Sequence, residues 1–380
     1  MKRQLKKVRV ALVMPNHADI NSSLNNYVKT YQYLVKKGLI EVTLFTDWRN
    51  DLKLDGIRVE KIRGIDYGNV LGNVLFVLGI PRFYYGGLEN KLKGFDVIVA
   101  NNPEFYAYAY QAYRAAKKHN MRLVLRTSQT VEGFFLYKIT KHVVNLIAKK
   151  AYRYASWNIF SNLEAEDRCL RLGLIENKKK SIITGHATDT SCFRPLKLKR
   201  PSYPVILSVG GLLKLKGHQY IMKALKRIHE IGFSDVELWV VGKGDYEDNL
   251  RTLAKDLDID GNVKFLGVKG HNELASIYNT ASVFVLANEQ EITPAVNEAL
   301  ACELSVVAMD CGGISYVISK NTGLISKKYD IEDMAKKVSL ILKNGSMAKK
   351  ISKNGREKVV TEFSIEKIAG KMYRAFTQMP

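Results

Sequence analysis

The sequence predicts an α/β protein of two domains, each built on a doubly wound parallel sheet with helices on both faces. Short runs of β-branched and apolar residues alternate with longer amphipathic patterns along the 380 residues, as expected of successive βα units. A segment with three prolines in ten residues, 195–204, interrupts the alternation near the middle and is typical of a linker. The chain is long enough for two cores of ordinary size.

The first half of the chain holds five predicted strands. They lie at Val8–Met14, Val42–Thr46, Val97–Ala100, Leu123–Leu125 and Ile159–Ser161, and the predicted helices between them at Leu24–Lys37, Glu104–His119 and Phe135–Tyr154. The first apolar run follows basic residues and mimics a signal peptide. Because Arg9 interrupts it and Pro15 ends it, we expect a buried strand instead. The longest other candidate, Val70–Ile80, is too short to cross a bilayer, so we predict no membrane-spanning helix.

The second half repeats the scheme. Its predicted strands are Val205–Val209, Leu238–Val241, Val263–Phe265, Val283–Leu286 and Val306–Ala308, and helices follow at Ile331–Leu342, Ala348–Val360 and Ser364–Phe376. We therefore expect a first domain over residues 1–195, a second over 196–362, and a last helix over 363–380 that packs back on the first domain. Ligands of such sheets bind beyond the carboxyl ends of the strands.

Positive charge is concentrated in the first half. Residues 1–200 contain 35 Lys and Arg against 16 Asp and Glu, a formal charge of +19, whereas residues 201–380 contain 24 against 21, or +3. A Lys-rich solvated surface would carry matching acidic residues on both halves. The asymmetry therefore indicates a polyanionic partner for the first domain, with an anionic membrane as first choice and nucleic acid as second.

Neither the cysteines nor a D-x-D sequence indicates a metal site. The four cysteines are scattered and form no C-x-x-C pattern, which favours a reducing, cytoplasmic compartment over a disulfide framework. The D-x-D sequence at 258–260 lies in a helix-to-strand connection, where a turn is the better interpretation. We expect no metal and no cofactor.

Two glycine-rich strand ends are candidates for binding a phosphate. In V-G-G-L-L-K-L-K-G, Gly210 and Gly211 let a ligand approach the backbone, and Lys216 stands five residues beyond. A lysine there can neutralise a diphosphate, although an exposed lysine in a βα loop is the simpler interpretation. In V-V-G-K-G, Gly242 and Gly244 resemble half a dinucleotide fingerprint, and glycines needed only for packing explain them equally well.

The most informative segment runs from 287 to 313. Thr293 suits an N-cap and Pro294 the first helical position. A helix opening there directs its N–H groups, including that of Ala295, at whatever precedes it, which favours a phosphate. Glu291 and Glu298 flank this start and can accept hydrogen bonds from sugar hydroxyls. An anion cradle beside such carboxylates suits a sugar nucleotide.

Together these motifs resemble the retaining glycosyltransferases of family four, the glycosyl transferases of group 1, which have the two-domain GT-B fold. The matching elements are V-G-G-L-L-K-L-K-G, V-V-G-K-G, F-L-G at 265–267, E-I-T-P-A-V-N-E-A-L-A-C-E and G-G at 312–313, with D-x3-F-R-P at 189–195. The resemblance covers nearly all of residues 180–325 and the first half more loosely.

The resemblance implies a role for each matched residue. Lys216 would hold the diphosphate and, with Glu291, act in catalysis, while Glu298 would bind the ribose hydroxyls. Glu291 would contact the donor sugar, backbone N–H groups of 293–295 would lie near the phosphates, and the glycines would line the donor pocket. The first domain would bind the acceptor, where we expect the acceptor or cleft residues Asn16, His17, Ser128, Gln129 and His186. A hydrogen-bonded structural histidine is the simpler interpretation of His186.

Five features depart from the family pattern, among them Glu303 in place of a glycine and the absence of paired glycines after the first strand, where residues 19–23 stand. Gly211 replaces an arginine, the strict position of the first carboxylate is Gln290, and the histidine of the first domain has no clear counterpart, with 126–129 standing where it is expected.

The sequence therefore predicts a metal-independent transfer of a hexosyl group from a nucleotide diphosphate sugar to a glycan or a lipid-linked acceptor, with retention. The alternatives are a non-catalytic nucleotide-sugar binder or inactive partner subunit, a sugar-nucleotide epimerase, and a basic nucleic-acid-binding protein. The glutamates at a helix start argue against the last, so we expect no nucleic acid. The basic helix Phe135–Tyr154 can lie on an anionic bilayer, which would place the protein at the cytoplasmic face of a membrane, but core packing explains its apolar residues equally well.

Overall fold

The protein folds into two compact units, each with its own parallel sheet. The computed structural model describes residues 7–14, 23–49, 52–65, 84–104, 106–128, 137–289 and 293–380. The first unit comprises Met1–Gly185 together with Ile365–Pro380, and the second comprises His186–Ser364. The two sheets confirm the predicted α/β class.

The first unit is built on seven parallel strands in the order β3-β2-β1-β6-β7-β8-β9. These strands are β1 (Val8–Val13), β2 (Ile40–Asp47), β3 (Arg58–Ile62), β6 (Val97–Asn101), β7 (Arg122–Thr127), β8 (Trp157–Phe160) and β9 (Ser181–Ile183). An antiparallel pair, β4 (Gly64–Ile65) and β5 (Tyr84–Tyr85), lies between β3 and β6 in the sequence. The described helices of the first unit are α1 (Ser23–Lys36), α2 (Leu88–Lys91), α3 (Ala107–His119), α4 (Tyr137–Tyr154), α5 (Leu163–Arg171) and α13 (Ile365–Thr377).

The central strands of the first sheet are buried because helices cover both faces. All five residues of β6 are buried, and Val10 of β1 pairs in register with Val42 and Val97 on its two sides. Continuous apolar runs of this kind are typical of parallel sheets. Leu123 and Leu125 of β7 belong to one buried core cluster of this unit, so by the two-residue period of a strand the side chains of Val124 and Arg126 point to the other face.

The last helix, α13, belongs to the first unit and packs on α1. The rings of Tyr31 and Phe376 stack with centroids 6.0 Å apart, and Thr30 donates a hydrogen bond to the Met372 sulfur. The indole of Trp157 donates to the carbonyl of Gln378. A buried face therefore joins α1 to residues more than 300 positions later in the chain.

The second unit is built on six parallel strands in the order β12-β11-β10-β13-β14-β15. They are β10 (Val205–Val209), β11 (Glu237–Val241), β12 (Val263–Gly267), β13 (Val283–Leu286), β14 (Ser305–Met309) and β15 (Leu324–Ser326). Its described helices are α6 (His218–Glu230), α7 (Glu247–Asp256), α8 (His271–Thr280), α9 (Pro294–Ala301), α10 (Ile314–Val317), α11 (Ile331–Lys343) and α12 (Gly345–Lys358). A π-helical segment, Val359–Phe363, follows α12.

The proline-rich segment 195–204 belongs to the second unit. Asn279 of α8 holds its start, because its side chain accepts a hydrogen bond from the Leu196 N–H and donates one to the Arg194 carbonyl. The division between the units accordingly falls at Gly185, ten residues before the predicted boundary at 195.

Two further predictions concern membrane-spanning helices and disulfides. Among the residues that the structure describes, no helix is both long and apolar enough to pass through a bilayer. All four cysteines are free thiols, and burial raises the pKa of both Cys169 and Cys302 to about 12. Those two side chains are therefore protonated at neutral pH.

Candidate active site

The strand order of the second sheet marks one point on its carboxyl edge. The sequence runs outward from β10 through β11 to β12 on one side, and from β13 through β14 to β15 on the other. Ile206 of β10 pairs in register with both Leu238 and Val283. The loops after β10 and β13 therefore diverge at this point, which is where open α/β sheets form their ligand crevice.

The loop after β10 lies directly against the loop after β11, backbone to backbone. The Gly210 N–H donates to the Val241 carbonyl at 3.0 Å, and the Leu212 N–H donates to the Lys243 carbonyl at 3.0 Å. A Cβ at Gly242 would lie 1.9 Å from the Gly210 oxygen, and one at Gly244 would lie 2.3 Å from the Leu212 oxygen. Both glycines are therefore required by close packing.

Lys216 ends a single 3-10 turn, Lys214–Lys216, that is fixed to the loop after β13. The Glu289 N–H donates to the Leu215 carbonyl at 3.0 Å. Gly217 follows with φ +74°, and a Cβ there would lie 1.9 Å from the Ala287 oxygen. The lysine is half-buried, and within the described ranges no carboxylate forms an ion pair with its ammonium. The backbone of Lys216 is therefore fixed beside the point where the loops after β10 and β13 diverge.

A buried histidine supports the same glycine turn. His218 is 2% exposed; its Nδ1 lies 3.0 Å from the Ser208 hydroxyl, and its Nε2 lies 3.7 Å from where a Cβ on Gly210 would stand. Burial lowers its pKa from 6.5 to about 4, and the charge of Lys216 contributes to the decrease. The imidazole is consequently neutral at physiological pH and fills the space beneath the turn.

Helix α9 begins where the sequence predicts, at Pro294, but its capping differs from the prediction. Thr293 occupies the N-cap position with φ −111° and ψ 156°, yet its side chain makes no capping hydrogen bond. Pro294 has no N–H, and the Val296 N–H bonds to the Thr293 carbonyl instead of the hydroxyl. The Thr293 Oγ1 is left buried without a hydrogen-bond partner, at a helix start whose first N–H groups have no partner within the helix.

Glu298 lies on α9 one turn after that start. It is 7% exposed, and its Oε2 lies 3.1 Å from the Tyr278 hydroxyl, which is also 3.2 Å from the Ala295 carbonyl. Burial, and then the charge of Glu298, raise the pKa of Tyr278 well above its usual value. The phenol therefore stays protonated and can donate a hydrogen bond that orients this carboxylate.

His186 lies beside the same helix through its backbone. Its carbonyl accepts a hydrogen bond from the Asn297 side chain at 2.9 Å, next to Glu298 in sequence. Ser128 belongs to the first unit, where it follows β7 and its N–H donates to the Asn102 side chain at 3.4 Å. The predicted residues Asn16, His17, Gln129 and Glu291 lie outside the described residues.

The structure thus places most of the predicted donor residues on one edge of the second sheet and adds two that the sequence reasoning missed. The two are His218, which holds the glycine turn, and Tyr278, which holds Glu298. His218 directly follows Gly217 and occupies the first, buried position of an amphipathic helix. That position could have indicated from the sequence that the histidine packs against the glycine turn. Tyr278 is 20 residues before Glu298 on another helix, so no local pattern joins the two.

The acidic pair at 258–260 forms a turn, as predicted. Asp258 has φ +55°, and Asp260 begins a second 3-10 turn. Across the described ranges, no three His, Cys, Asp or Glu side chains come together in an arrangement that could hold a metal ion.

Comparison with known proteins identifies relatives that match about half of the chain. Residues 193–358 match the family of glycosyl transferases group 1. An uncharacterised glycosyltransferase of Haemophilus influenzae is 31% identical over 196 residues, which are 51% of this chain and 54% of that protein. The lipopolysaccharide core biosynthesis glycosyltransferase LpsE of Rhizobium meliloti is 27% identical, over 48% of this chain and 53% of its own length. The chain therefore spans about half the length of the curated relatives it matches.

Solved structures resemble the chain over nearly its whole length. Anabaena HepE, solved in complex with UDP and glucose, superposes with a TM-score of 0.76 at 14% identity, covering 98% of this chain and 100% of that one. A glycosyltransferase from Rickettsia africae gives a TM-score of 0.76 at 16% identity, over 98% and 99%. At such identities the likeness concerns the fold. Residues 193–358 thus match the glycosyl transferases of group 1, and the chain has the GT-B fold.

Proposed function

We propose that the protein transfers a hexosyl group from a nucleotide diphosphate sugar to a hydroxyl of a glycan or lipid-linked acceptor. The observation that carries this proposal is the arrangement at the crevice between β10 and β13. There a glycine turn, the turn that ends at Lys216 and the loop leading to α9 are joined by backbone hydrogen bonds. Anabaena HepE, which shares this fold, was solved with UDP and with UDP-glucose, so a uridine nucleotide is the first donor to test.

The diphosphate would lie between Lys216 and the start of α9. Negative charge grows on the departing diphosphate as the glycosidic bond breaks, and fixed positive potential stabilises it. The ammonium of Lys216 and the N–H groups at 293–295 can supply that potential, with the buried Thr293 hydroxyl as a further hydrogen-bond donor. We therefore propose that no metal ion is needed.

Glu298 and Glu291 would hold the sugars of the donor. The buried Glu298 carboxylate, oriented by Tyr278, is proposed to accept hydrogen bonds from the ribose hydroxyls. Glu291, which precedes α9, is proposed to contact the hexose. Retention of the anomeric configuration follows from the resemblance to family four and is part of the proposal.

Replacing Lys216 tests this assignment. We expect Lys216→Ala to lower kcat/KM for donor hydrolysis or transfer by about 10²–10³, the usual effect of removing one group that stabilises developing negative charge. Lys214→Ala is the matched control, because Lys214 is an exposed lysine in the same 3-10 turn. Turnover of Lys216→Ala close to that of the control would refute the assignment.

Binding assays separate an enzyme from a non-catalytic binder. Gly211, where the family has an arginine, is the feature that favours the second candidate. Thermal denaturation with UDP-glucose and other sugar nucleotides should show a rise in Tm that grows with the logarithm of ligand concentration. A rise without any hydrolysis or transfer, across a panel of acceptors, would favour the binder.

The orphaned hydroxyl of Thr293 gives a second test of the diphosphate position. Since it makes no capping bond, Thr293→Val should cost little stability but weaken UDP binding severalfold. Asp330→Ala is the converse control, because the Asp330 side chain accepts the capping bond from the Asp333 N–H at 2.9 Å. That variant should lose about 1 kcal/mol of stability and keep its affinity for UDP.

We further propose that the basic first unit meets an anionic membrane through α4. Leu146 on this helix is 62% exposed and stands four residues before the exposed Lys150, so an apolar and a basic group are presented together. Sedimentation with anionic vesicles should occur at low salt and weaken as salt rises. No sedimentation at low salt would remove this part of the proposal.

A further inference from the structure

The first sheet has its own point of divergence, between β1 and β6, and an arginine stands beside it. The order β3-β2-β1-β6-β7-β8-β9 runs outward from β1 on one side and from β6 on the other. Asn101 ends β6 and is paired in register with Arg126 near the end of the adjacent β7. Partners in register point to the same face of a parallel sheet, so these two side chains emerge together at the carboxyl edge.

Arg126 has an aromatic partner but no acidic one. Its guanidinium carbon lies 4.1 Å from the centre of the Tyr27 ring, a cation–π contact. No carboxylate of the described residues forms an ion pair with it, and its Nε is buried without a hydrogen-bond partner. Another arginine of this unit, the buried Arg168, is by contrast paired with Glu104 at 3.0 Å. A cation held in place without a counter-ion is expected where the ligand supplies the anion.

Two other polar groups at the same carboxyl edge are also unsatisfied. The Tyr108 hydroxyl and the Asn101 Oδ1 are buried without a hydrogen-bond partner, in residues that are 0% and 6% exposed. Burial raises the pKa of Tyr108 well above its usual value, so the phenol stays protonated and can donate a hydrogen bond. Leaving such groups unpaired is unfavourable, so a ligand that pairs them would be favoured.

From this geometry we propose that Arg126, Tyr108 and Asn101 form a site in the first unit that binds the phosphate of a phosphorylated, hydroxyl-bearing acceptor. The guanidinium and the phenol are donors for the phosphate oxygens, and the Asn101 oxygen is an acceptor for a neighbouring hydroxyl. This inference rests on the proposed function, since it names the chemical class of the acceptor. It also gives a role to the formal charge of +19 over residues 1–200, which would attract such an anion.

The phosphate could belong to a soluble sugar phosphate or to a lipid, and two probes distinguish these sources. Glycerol 3-phosphate tests the soluble class by titration calorimetry, with glycerol as the uncharged control. Phosphatidylcholine vesicles with and without phosphatidic acid test the lipid class by sedimentation. Arg126→Gln is compared with Arg171→Gln, which removes the same charge from an exposed position of the same unit.

We expect Arg126→Gln to weaken binding in at least one arm by about tenfold or more, and Arg171→Gln to leave it close to that of the unchanged protein. Equal binding by the two variants in both arms, or no binding of either probe by the unchanged protein, would overturn the proposal. If Arg126→Gln does not fold, Arg126→Lys preserves the cation over Tyr27 and should weaken binding severalfold; unchanged affinity would again overturn it.

A UDP titration of the same proteins separates this inference from the proposed function. Should UDP bind with equal affinity to the unchanged protein and to Arg126→Gln while the substitution also leaves binding unchanged in both the glycerol 3-phosphate and the vesicle arms, the acceptor site alone is refuted. Should UDP and sugar nucleotides fail to bind any of them, the proposed function is refuted whatever happens at Arg126.

Discussion

The carboxyl edges of the two sheets are lined by different groups, main chain in one unit and side chains in the other. In the second unit the edge is made of backbone: glycines at 210, 211, 242 and 244, a 3-10 turn and a helix start, held by main-chain hydrogen bonds. In the first unit it is made of large side chains, with Arg126 against Tyr27 and the rings of Tyr106 and Tyr108 stacked 5.3 Å apart. A site built from backbone requires glycines at fixed spacings, whereas a site built from side chains does not.

The largest effect is expected from the buried ion pair near the edge of the first sheet. Glu104 and Arg168 are both about 1% exposed, and the second oxygen of Glu104 accepts a hydrogen bond from Tyr152 at 3.0 Å. Glu104→Gln leaves the guanidinium buried without its counter-charge and should cost about 3–5 kcal/mol of unfolding free energy in urea. The exposed pair of Asp167 with Lys178 is the control, and Asp167→Asn should cost less than about 1 kcal/mol. A similar small cost for both would show that side chains do not fix this edge.

The corresponding test of the second unit adds one methyl group. Gly217→Ala forces a left-handed residue and places its Cβ against the Ala287 oxygen, and should cost about 3 kcal/mol or more. Gly267→Ala is the matched control, since Gly267 has φ +67° and nothing within 4 Å of the added atom. It should cost only the backbone strain, about 1–2 kcal/mol. Equal losses in thermal or urea unfolding would mean that the close approach of the two loops is not required.

These contrasts also explain which parts of the structure the sequence could predict. The central strands were predicted within one or two residues, because residues buried on both faces form unbroken apolar runs, and β10 and β13 match the predicted bounds. In the two parallel sheets, the strands that were missed, β3, β9 and β15, lie at the edges. Edge strands are short or partly polar: β3 has the sequence R-V-E-K-I, and no apolar run marks it.

The same distinction applies to the sites. Lys216 and the glycines form contiguous motifs, so local spacing was enough to single them out. Arg126 and Asn101 are brought together by strand register, and Tyr278 reaches Glu298 from a separate helix. Such contacts follow from the order of strands and the packing of helices, which periodicity does not give.

A pH dependence of intermediate size is expected from His218. Its pKa is about 4 in the folded protein and 6.5 in the unfolded chain. Between these values the unfolded chain binds the proton and the folded protein does not, so stability falls as the pH decreases from 6.5 toward 4. At pH 5 this group should account for about 2 kcal/mol of the loss relative to pH 7.5. Urea unfolding of His218→Gln should show a pH dependence smaller by about that amount, and an unchanged dependence would contradict the burial of a neutral imidazole.

The smallest effect is expected from returning the charge that the glycine turn lacks. Gly211 is exposed, and the heavy atoms nearest to a Cβ there, the Lys243 oxygen and the Leu213 side chain, would lie 3.9 and 4.0 Å away. Gly211→Arg should therefore fold normally and bind UDP several times more tightly, as one added charge-assisted hydrogen bond would allow. Gly211→Gln, of similar length but uncharged, is the control. Weaker binding by the arginine variant alone would indicate that the diphosphate does not approach this turn.

The path of the chain through the first unit has a consequence for how the protein is made. Residues 186–364 are continuous, so the second unit can collapse as soon as it leaves the ribosome. The first unit needs α13 to cover Tyr31 of α1 and to receive the Trp157 indole, and that helix is translated almost 180 residues after Gly185. Ribosomes add about 5–20 residues per second, so an apolar face of the nascent first unit stays exposed for roughly ten to forty seconds. We expect chaperones to bind it during this interval.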